Sequence, residues 1–189
     1  MCVILKIRMN RSQNPSAIRS KKQILEALLT LMEKYSYNEI SVKQIVLETD
    51  LTRKTFYRNF SSKDDVLESY IGSIIAEYID ALNDETRPLN VIFSFCEKNK
   101  NLLGILHKHD MLHLLLKKLN EIIPSVIESP DYERNPFKKV FGDIEPDYLI
   151  AFNIGAIWNV INKWLELGMH EPLENVKAVL EKYLNSATS

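Results

Sequence analysis

The chain has 189 residues, 46% of them hydrophobic and 26% charged, with a net charge of −1. That length holds one good-sized domain or a small one joined to a larger one, and the composition is that of a globular protein. Five glycines and seven prolines are few for a chain of many tight turns, which argues for an all-α protein. Cys2 and Cys96 match no metal or redox spacing and are expected as reduced thiols in a cytoplasmic protein.

Charge is divided unevenly. Residues 1–63 hold 12 Lys and Arg against 5 Asp and Glu, a surplus of seven, whereas residues 64–189 hold 12 against 20, a deficit of eight. Such a split suggests that the first part meets a polyanion and the second does not.

The opening MCVILKIRMNRS is too short in its apolar run for a signal-peptide core. Residues 1–16 read as a basic, disordered arm, and Met1 and Met9 both stand as translation starts. Asn14-Pro15 then reads as a helix entry, and Ile24, Leu28, Leu31, Met32 and Tyr35 recur on one helical face. The pattern breaks at Ser36-Tyr37-Asn38. Ser41-Val42-Lys43-Gln44 fits a capping box for a short second helix. Thr49-Asp50-Leu51 reads as a tight turn, and Thr52 caps a third helix that runs to about Phe60. Ser61-Ser62, with Asp64 and Asp65 behind it, opens a long helix over 64–82 that links the first module to the rest.

Further helices are expected over Leu89–Glu97, Leu102–His107 and Met111–Ile127, with a loop or broken helix over 128–146. The stretch 147–167 is apolar almost all round, yet Asn153, Asn159, Asn162, Lys163 and Glu166 argue against a membrane span. Gly168 ends it, and a last helix follows over 172–185. An apolar helix in a globular protein needs neighbours on most sides. A second copy of the chain is expected to supply one of them, meeting Phe152, Gly155, Ala156, Trp158, Asn159 and Asn162 of one helix and Leu173, Val176, Leu180 and Tyr183 of the next.

The second and third helices with the turn between them form a helix-turn-helix, whose second helix enters the major groove of DNA. In the stretch LTRKTFYRNF, Phe56 and Phe60 share one face as the buried anchor. The remaining surface carries Arg53, Lys54, Thr55, Tyr57, Arg58 and Asn59. Basic side chains attract phosphate, Arg or Lys at the helix start can read guanine, and hydroxyls can fix the register on phosphate oxygens.

Residues 17–75 also resemble the N-terminal domain of TetR-type bacterial transcriptional regulators. Ser41-Val42-Lys43-Gln44-Ile45, the run from Asp50 through Thr52 to Phe60, and Ser62-Lys63-Asp64 follow the family's order and spacing. The resemblance implies that Tyr57 and Lys63 meet phosphate, that the residues from Thr52 to Thr55 meet bases, and that Lys43 does either. Two positions depart from the family pattern. Asp50 stands where a turn glycine is usual and is expected to tolerate a left-handed conformation, and Asn59 replaces a histidine. The resemblance further implies a helix-turn-helix domain over 17–63, a regulatory and dimerising domain over 64–189, double-stranded DNA as partner, and a small effector of unknown identity. Phe95, Leu115, Phe152 and Trp158 are candidate lining for that effector.

Other sites weigh less. His107, His109, Asp110 and His113 cluster, and His109 and His113 at i, i+4 could share a metal, but no further ligand completes a set, so solvated or capping histidines are preferred. No phosphate-binding loop, dinucleotide fingerprint or nucleophile elbow is present, and no metal, cofactor or enzyme activity is expected. The expected function is a DNA-binding transcriptional regulator, a ligand-responsive repressor on a palindromic operator. The alternative is a protein-binding coactivator of the same fold that does not bind DNA.

Overall fold

The computed structural model describes residues 14–84, 88–127 and 146–187. Among them are nine α-helices and no strand. The expectations for the arm at 1–13 and the loop at 128–145 lie outside the described residues.

The first three helices form the N-terminal unit. Helix α1 spans Pro15–Lys34, with Pro15 in its first turn and the Asn14 side chain accepting from Ser16 N at 3.1 Å. Its apolar face buries Ile24, Ala27, Leu28, Leu31 and Met32, the spacing of a single stripe. A short 3₁₀ turn at Tyr37–Glu39 redirects the chain into α2, Val42–Leu47. The capping box is present in both directions: Ser41 N donates to Gln44 Oε1 at 2.8 Å and Gln44 N to Ser41 Oγ at 3.3 Å. Helix α3 spans Arg53–Asn59, with the Thr52 hydroxyl accepting from Thr55 N at 3.1 Å. These helices pack on one another around Ile24, Leu28, Ile45, Phe56 and Phe60.

Helix α4, Lys63–Asp84, joins this unit to the remainder. It packs on α1 near its start and on α5 (Pro88–Lys98) and α7 (His113–Ile127) farther along. Asp64 and Asp65 sit in its first turn, where negative charge favours a helix N-terminus. Between α5 and α6 (Lys100–Lys108) the break falls at Asn99. This residue is buried and its Nδ2 donates to Phe95 O at 2.8 Å, so the side chain competes locally with the helical ladder.

Helix α8 spans Pro146–Glu166 and packs on α6 and α7, whereas α9, Leu173–Ala187, packs on α5. The turn between them uses Gly168 at φ 72°, and the Trp164 indole N–H donates across it to Glu171 O at 2.8 Å. Ile161, Trp164 and Leu165 are buried, while Tyr148 and Phe152 stand 81% and 68% exposed. Among the described residues, the helix is therefore covered at Ile161, Trp164 and Leu165 and open at Tyr148 and Phe152. No helix among the described residues is long and apolar enough to cross a membrane.

Candidate nucleic-acid interface

Helix α3 has a fixed side and a free side. Phe56 is fully buried and Phe60 nearly so, with ring centroids 6.3 Å apart, and Tyr57 meets the edge of Phe56 at 5.4 Å. Pinned in this way, the helix turns Arg53, Lys54, Tyr57 and Arg58 to solvent, with Thr52 exposed at its start and Lys43 exposed on α2. The Arg53 guanidinium lies over the Tyr57 ring at 6.0 Å, so the two side chains stiffen each other at the free surface. Among the described residues no ion pair engages Lys43, Arg53, Lys54 or Arg58. Four unneutralised cations around two adjoining short helices make a surface suited to phosphate.

Four of the expected contact residues have partners inside the unit. Thr52 and Thr55 share a hydroxyl–hydroxyl bond of 3.0 Å in addition to the cap. Asn59 Nδ2 donates to Thr55 O at 2.7 Å. Lys63 differs most from the expected free phosphate ligand. Its ammonium donates to Tyr37 O at 2.5 Å, Ile40 O at 2.8 Å and Asn38 O at 3.4 Å, and lies 4.4 Å from the centroid of the Tyr37 ring. Three donors are thus directed at three carbonyls of the chain leading into α2, and Lys63 ties the start of α4 to the reading unit.

Beside it, the Tyr37 hydroxyl donates to Asp64 Oδ1 at 2.6 Å. Burial foremost, and then the Asp64 carboxylate, push the Tyr37 pKa far above its ordinary value, so the phenol stays a donor. Tyr37, where the sequence pattern merely breaks, is one of the residues that sequence reasoning missed. Lys21 is another, its ammonium 5.8 Å from the Phe60 ring. The lone aromatic in the Ser36-Tyr37-Asn38 break was the only signal for the first.

The turn before α3 corrects the expectation for Asp50. The only non-glycine residues at positive φ among those described are Asp110 and Met169, so Asp50 is not left-handed. The neighbouring Thr49 builds the turn instead: its hydroxyl donates to Val46 O at 3.0 Å and accepts from Leu51 N at 3.2 Å. A side-chain bond of this kind replaces the backbone freedom of glycine.

His109 and His113 are placed as capping groups, the reading preferred from the sequence. His109 ends α6 and His113 begins α7, so they do not share a helix face. His109 Nε2 bonds Met32 O at 2.8 Å and His113 Nδ1 bonds Asp110 O at 2.9 Å. Lys108 Nζ donates to Glu33 O at 2.6 Å. The last carbonyls of a helix have no partner within it; those of α1 are met by two cationic or polar side chains from the far end of α6. This is a second tie, besides α4, between the reading unit and the helices behind it.

Of the four candidate effector residues, Phe95 lines a cavity between α4 and α5, Leu115 is buried in the core, Trp158 is half-buried and Phe152 is exposed. Phe95 is the one of the four that lines a cavity built wholly of described residues. Of the expected dimer residues, Phe152, Ala156 and Asn159 are exposed, and Gly155, Trp158 and Asn162 are half-exposed. Leu173 is buried and Val176 and Leu180 pack on the protomer's own core. The Tyr183 side chain lies outside the described residues.

The model of the family described as bacterial regulatory proteins, tetR family, matches residues 24–70, from midway along α1 to the first turns of α4. The chain is 28% identical over 118 residues to the uncharacterized HTH-type transcriptional regulator YxbF of Bacillus subtilis (strain 168), a match covering 59% of this chain and 30% of that protein. It thus spans less than a third of that relative. It is 23% identical over 151 residues to the HTH-type dhaKLM operon transcriptional activator DhaS of Lactococcus lactis subsp. lactis (strain IL1403), covering 75% of this chain and 76% of the relative. The fold is similar to that of a TetR transcriptional regulator from Streptococcus agalactiae 2603V, with TM-score 0.64, 19% identity, and coverage of 90% of this chain and 94% of that one.

Proposed function

We propose, from the premise that this chain is a DNA-binding transcriptional regulator of the tetR type, that it acts as a dimeric, ligand-responsive repressor in the cytoplasm. The reading unit is residues 17–63 and the regulatory and dimerising part is 64–189. Two protomers set their α3 helices into successive major grooves of a palindromic operator. Arg53 and Lys54 meet base edges from the start of α3, Tyr57 and Arg58 meet phosphate, and Lys43 does so from α2. The observation that carries this reading is the anchored α3 with its unpaired cations.

The dimer reading is supported by the exposed apolar face of α8, where Phe152 is 68% exposed beside Ala156. An effector held among residues 88–187 would change the spacing of the two heads through α4 and through the tie of Lys108 and His109 to α1.

Mobility shift on the DNA upstream of its own gene tests the reading. Arg53→Ala is expected to weaken binding by about 1–3 kcal/mol and to relax preference at one base pair. Tyr57→Phe is expected to weaken it without changing sequence preference. Unchanged binding in both, with the dimer intact, would remove these residues from the interface. The second reading is a positive regulator, favoured by the naming of DhaS as an activator. A reporter fused to the bound promoter separates the two by the sign of its response to deletion. A steep fall of affinity with salt distinguishes either from an interaction module that leaves DNA alone.

A further inference from the structure

A cavity of about 300 Å³ opens between α4 and α5, a size at the lower end of small-molecule sites. Its walls are largely apolar. Ile74 and Ala81 come from α4 and Val91 from α5, and Tyr78 meets Phe95 edge to face at 5.4 Å. Asn90 lines the same cavity, and its Oδ1 is buried with no hydrogen-bond donor in reach, the one such side-chain atom among the described residues. Buried amide oxygens almost always have a partner, and one without a donor favours any occupant that brings an O–H or N–H.

The mouth is electrically balanced. Glu77 and Lys98, both also lining the cavity, face each other with Nζ and Oε2 2.5 Å apart and remain largely exposed. Inside, burial raises the Tyr78 pKa well above its ordinary value and that of the nearby Cys96 thiol to about 12, so neither offers a charge. An ionic ligand therefore finds no uncompensated counter-charge, whereas an uncharged one fits without disturbing the pair.

We propose that the cavity between α4 and α5 binds a small uncharged aromatic alcohol or phenol, its ring against Tyr78 and Phe95 and its hydroxyl donating to Asn90 Oδ1, which the amide presents by turning from its buried position into the cavity. The inference rests on the ligand-responsive part of the proposed function and assigns it a site and a ligand class. Its position suits that role. An occupant wedged against Tyr78 bears on α4, whose first turn holds Tyr37 and the chain into α2 through Asp64 and Lys63.

The matched probes are benzyl alcohol and toluene, which differ by the donor. Binding is read by calorimetric titration and by thermal shift of the full chain without DNA. Benzyl alcohol is expected to bind saturably and tenfold or more tightly than toluene, about the effect of one satisfied buried acceptor. Asn90→Leu should bring the two probes within about twofold of each other. Ala81→Phe adds a ring at an exposed position on the cavity wall and should weaken both more than tenfold.

Equal affinity of the wild type for both probes overturns the proposal, as does absent saturation by benzyl alcohol or a preference that survives Asn90→Leu. Should Asn90→Leu fail to fold, unchanged benzyl alcohol binding in Ala81→Phe overturns it alone. Operator binding plays no part in these readouts, so a negative result counts against this site and leaves the DNA-binding reading standing. Loss of operator binding does the reverse.

Discussion

The two ends of α4 are organised by different rules. Just before its N-terminal end, helix α3 is assembled from neighbours in sequence: an anchor four residues from its fellow, a cap three residues from the amide it serves, cations on the intervening positions; Lys63 and Asp64 at the start of α4 reach 23 to 27 residues back. Behind that end, the groups that matter come from different helices. His109 reaches Met32, Lys108 reaches Glu33, and Tyr78 meets Phe95. The first arrangement fixes which surface is offered to a duplex; the second fixes how that surface is held and moved.

The strongest way to break this comparison is Phe56→Ala. Phe56 is fully buried, and truncating such a residue costs about 3–5 kcal/mol, comparable to the whole stability of a small unit. Hydrogen exchange is expected to show loss of protection over residues 42–60, with the amides of 102–115 still protected. A uniform rise in exchange along the chain would mean that the reading unit and the helices behind it melt as one.

Lys63→Met is expected next in size. It removes the donor to three carbonyls while keeping the stem over Tyr37. Leaving partly buried acceptors without a partner costs about 1–3 kcal/mol. Thermal melting should fall, and the slope of DNA affinity against salt should stay unchanged, since a residue that ties carbonyls releases no counterion. A slope reduced by about one would instead make Lys63 a phosphate ligand.

These two variants mark what the sequence made legible. The anchoring by Phe56 and Phe60, the capping box at Ser41 and Gln44, the Thr52 cap and the start of α1 were all readable, because each depends on spacing within one or two turns. The helix order behind them was readable from periodicity, with ends shifted by a residue or two. Lys63 was not readable as a tie, since its partners lie 23–26 residues away and only the packing of α4 on α1 brings them within reach. Phe95, Leu115, Phe152 and Trp158 could be named but not grouped: aromatic and apolar character says that a side chain is wanted by some surface, not which one.

The tie between α6 and α1 should yield a smaller stability effect and a sharper functional one. Lys108→Ala and His109→Ala each remove one hydrogen bond to a carbonyl at the end of α1, worth about 1 kcal/mol apiece. Because both act on adjacent carbonyls, the double variant is expected to depart from additivity. With an effector in hand, the double variant should still bind operator but respond less to the effector, since one of the two paths between the parts is cut. A full response would assign the coupling to α4 alone.

The smallest expected effect lies in the turn that holds this tie in place. The C-terminal ends of α6 and α8 close in the same way. Asp110 N donates to His107 O at 3.1 Å and Met111 N to Leu106 O at 2.8 Å; Gly168 N donates to Leu165 O at 2.9 Å and Met169 N to Trp164 O at 3.0 Å. Both closures need a left-handed residue, met by Asp110 at φ 56° and by Gly168 at φ 72°. Glycine adopts that conformation without strain, whereas other residues lose roughly 1–2 kcal/mol there, aspartate less than most. Asp110→Gly is therefore expected to raise stability by about 0.5 kcal/mol, a melting shift of about 1–2 °C. Asp110→Ala should lower stability instead, as it keeps the Cβ and loses the short polar group that eases the strain. Opposite signs for the two substitutions would show that backbone conformation at Asp110, rather than its charge beside His109 and His113, governs how firmly α6 presents its end to α1.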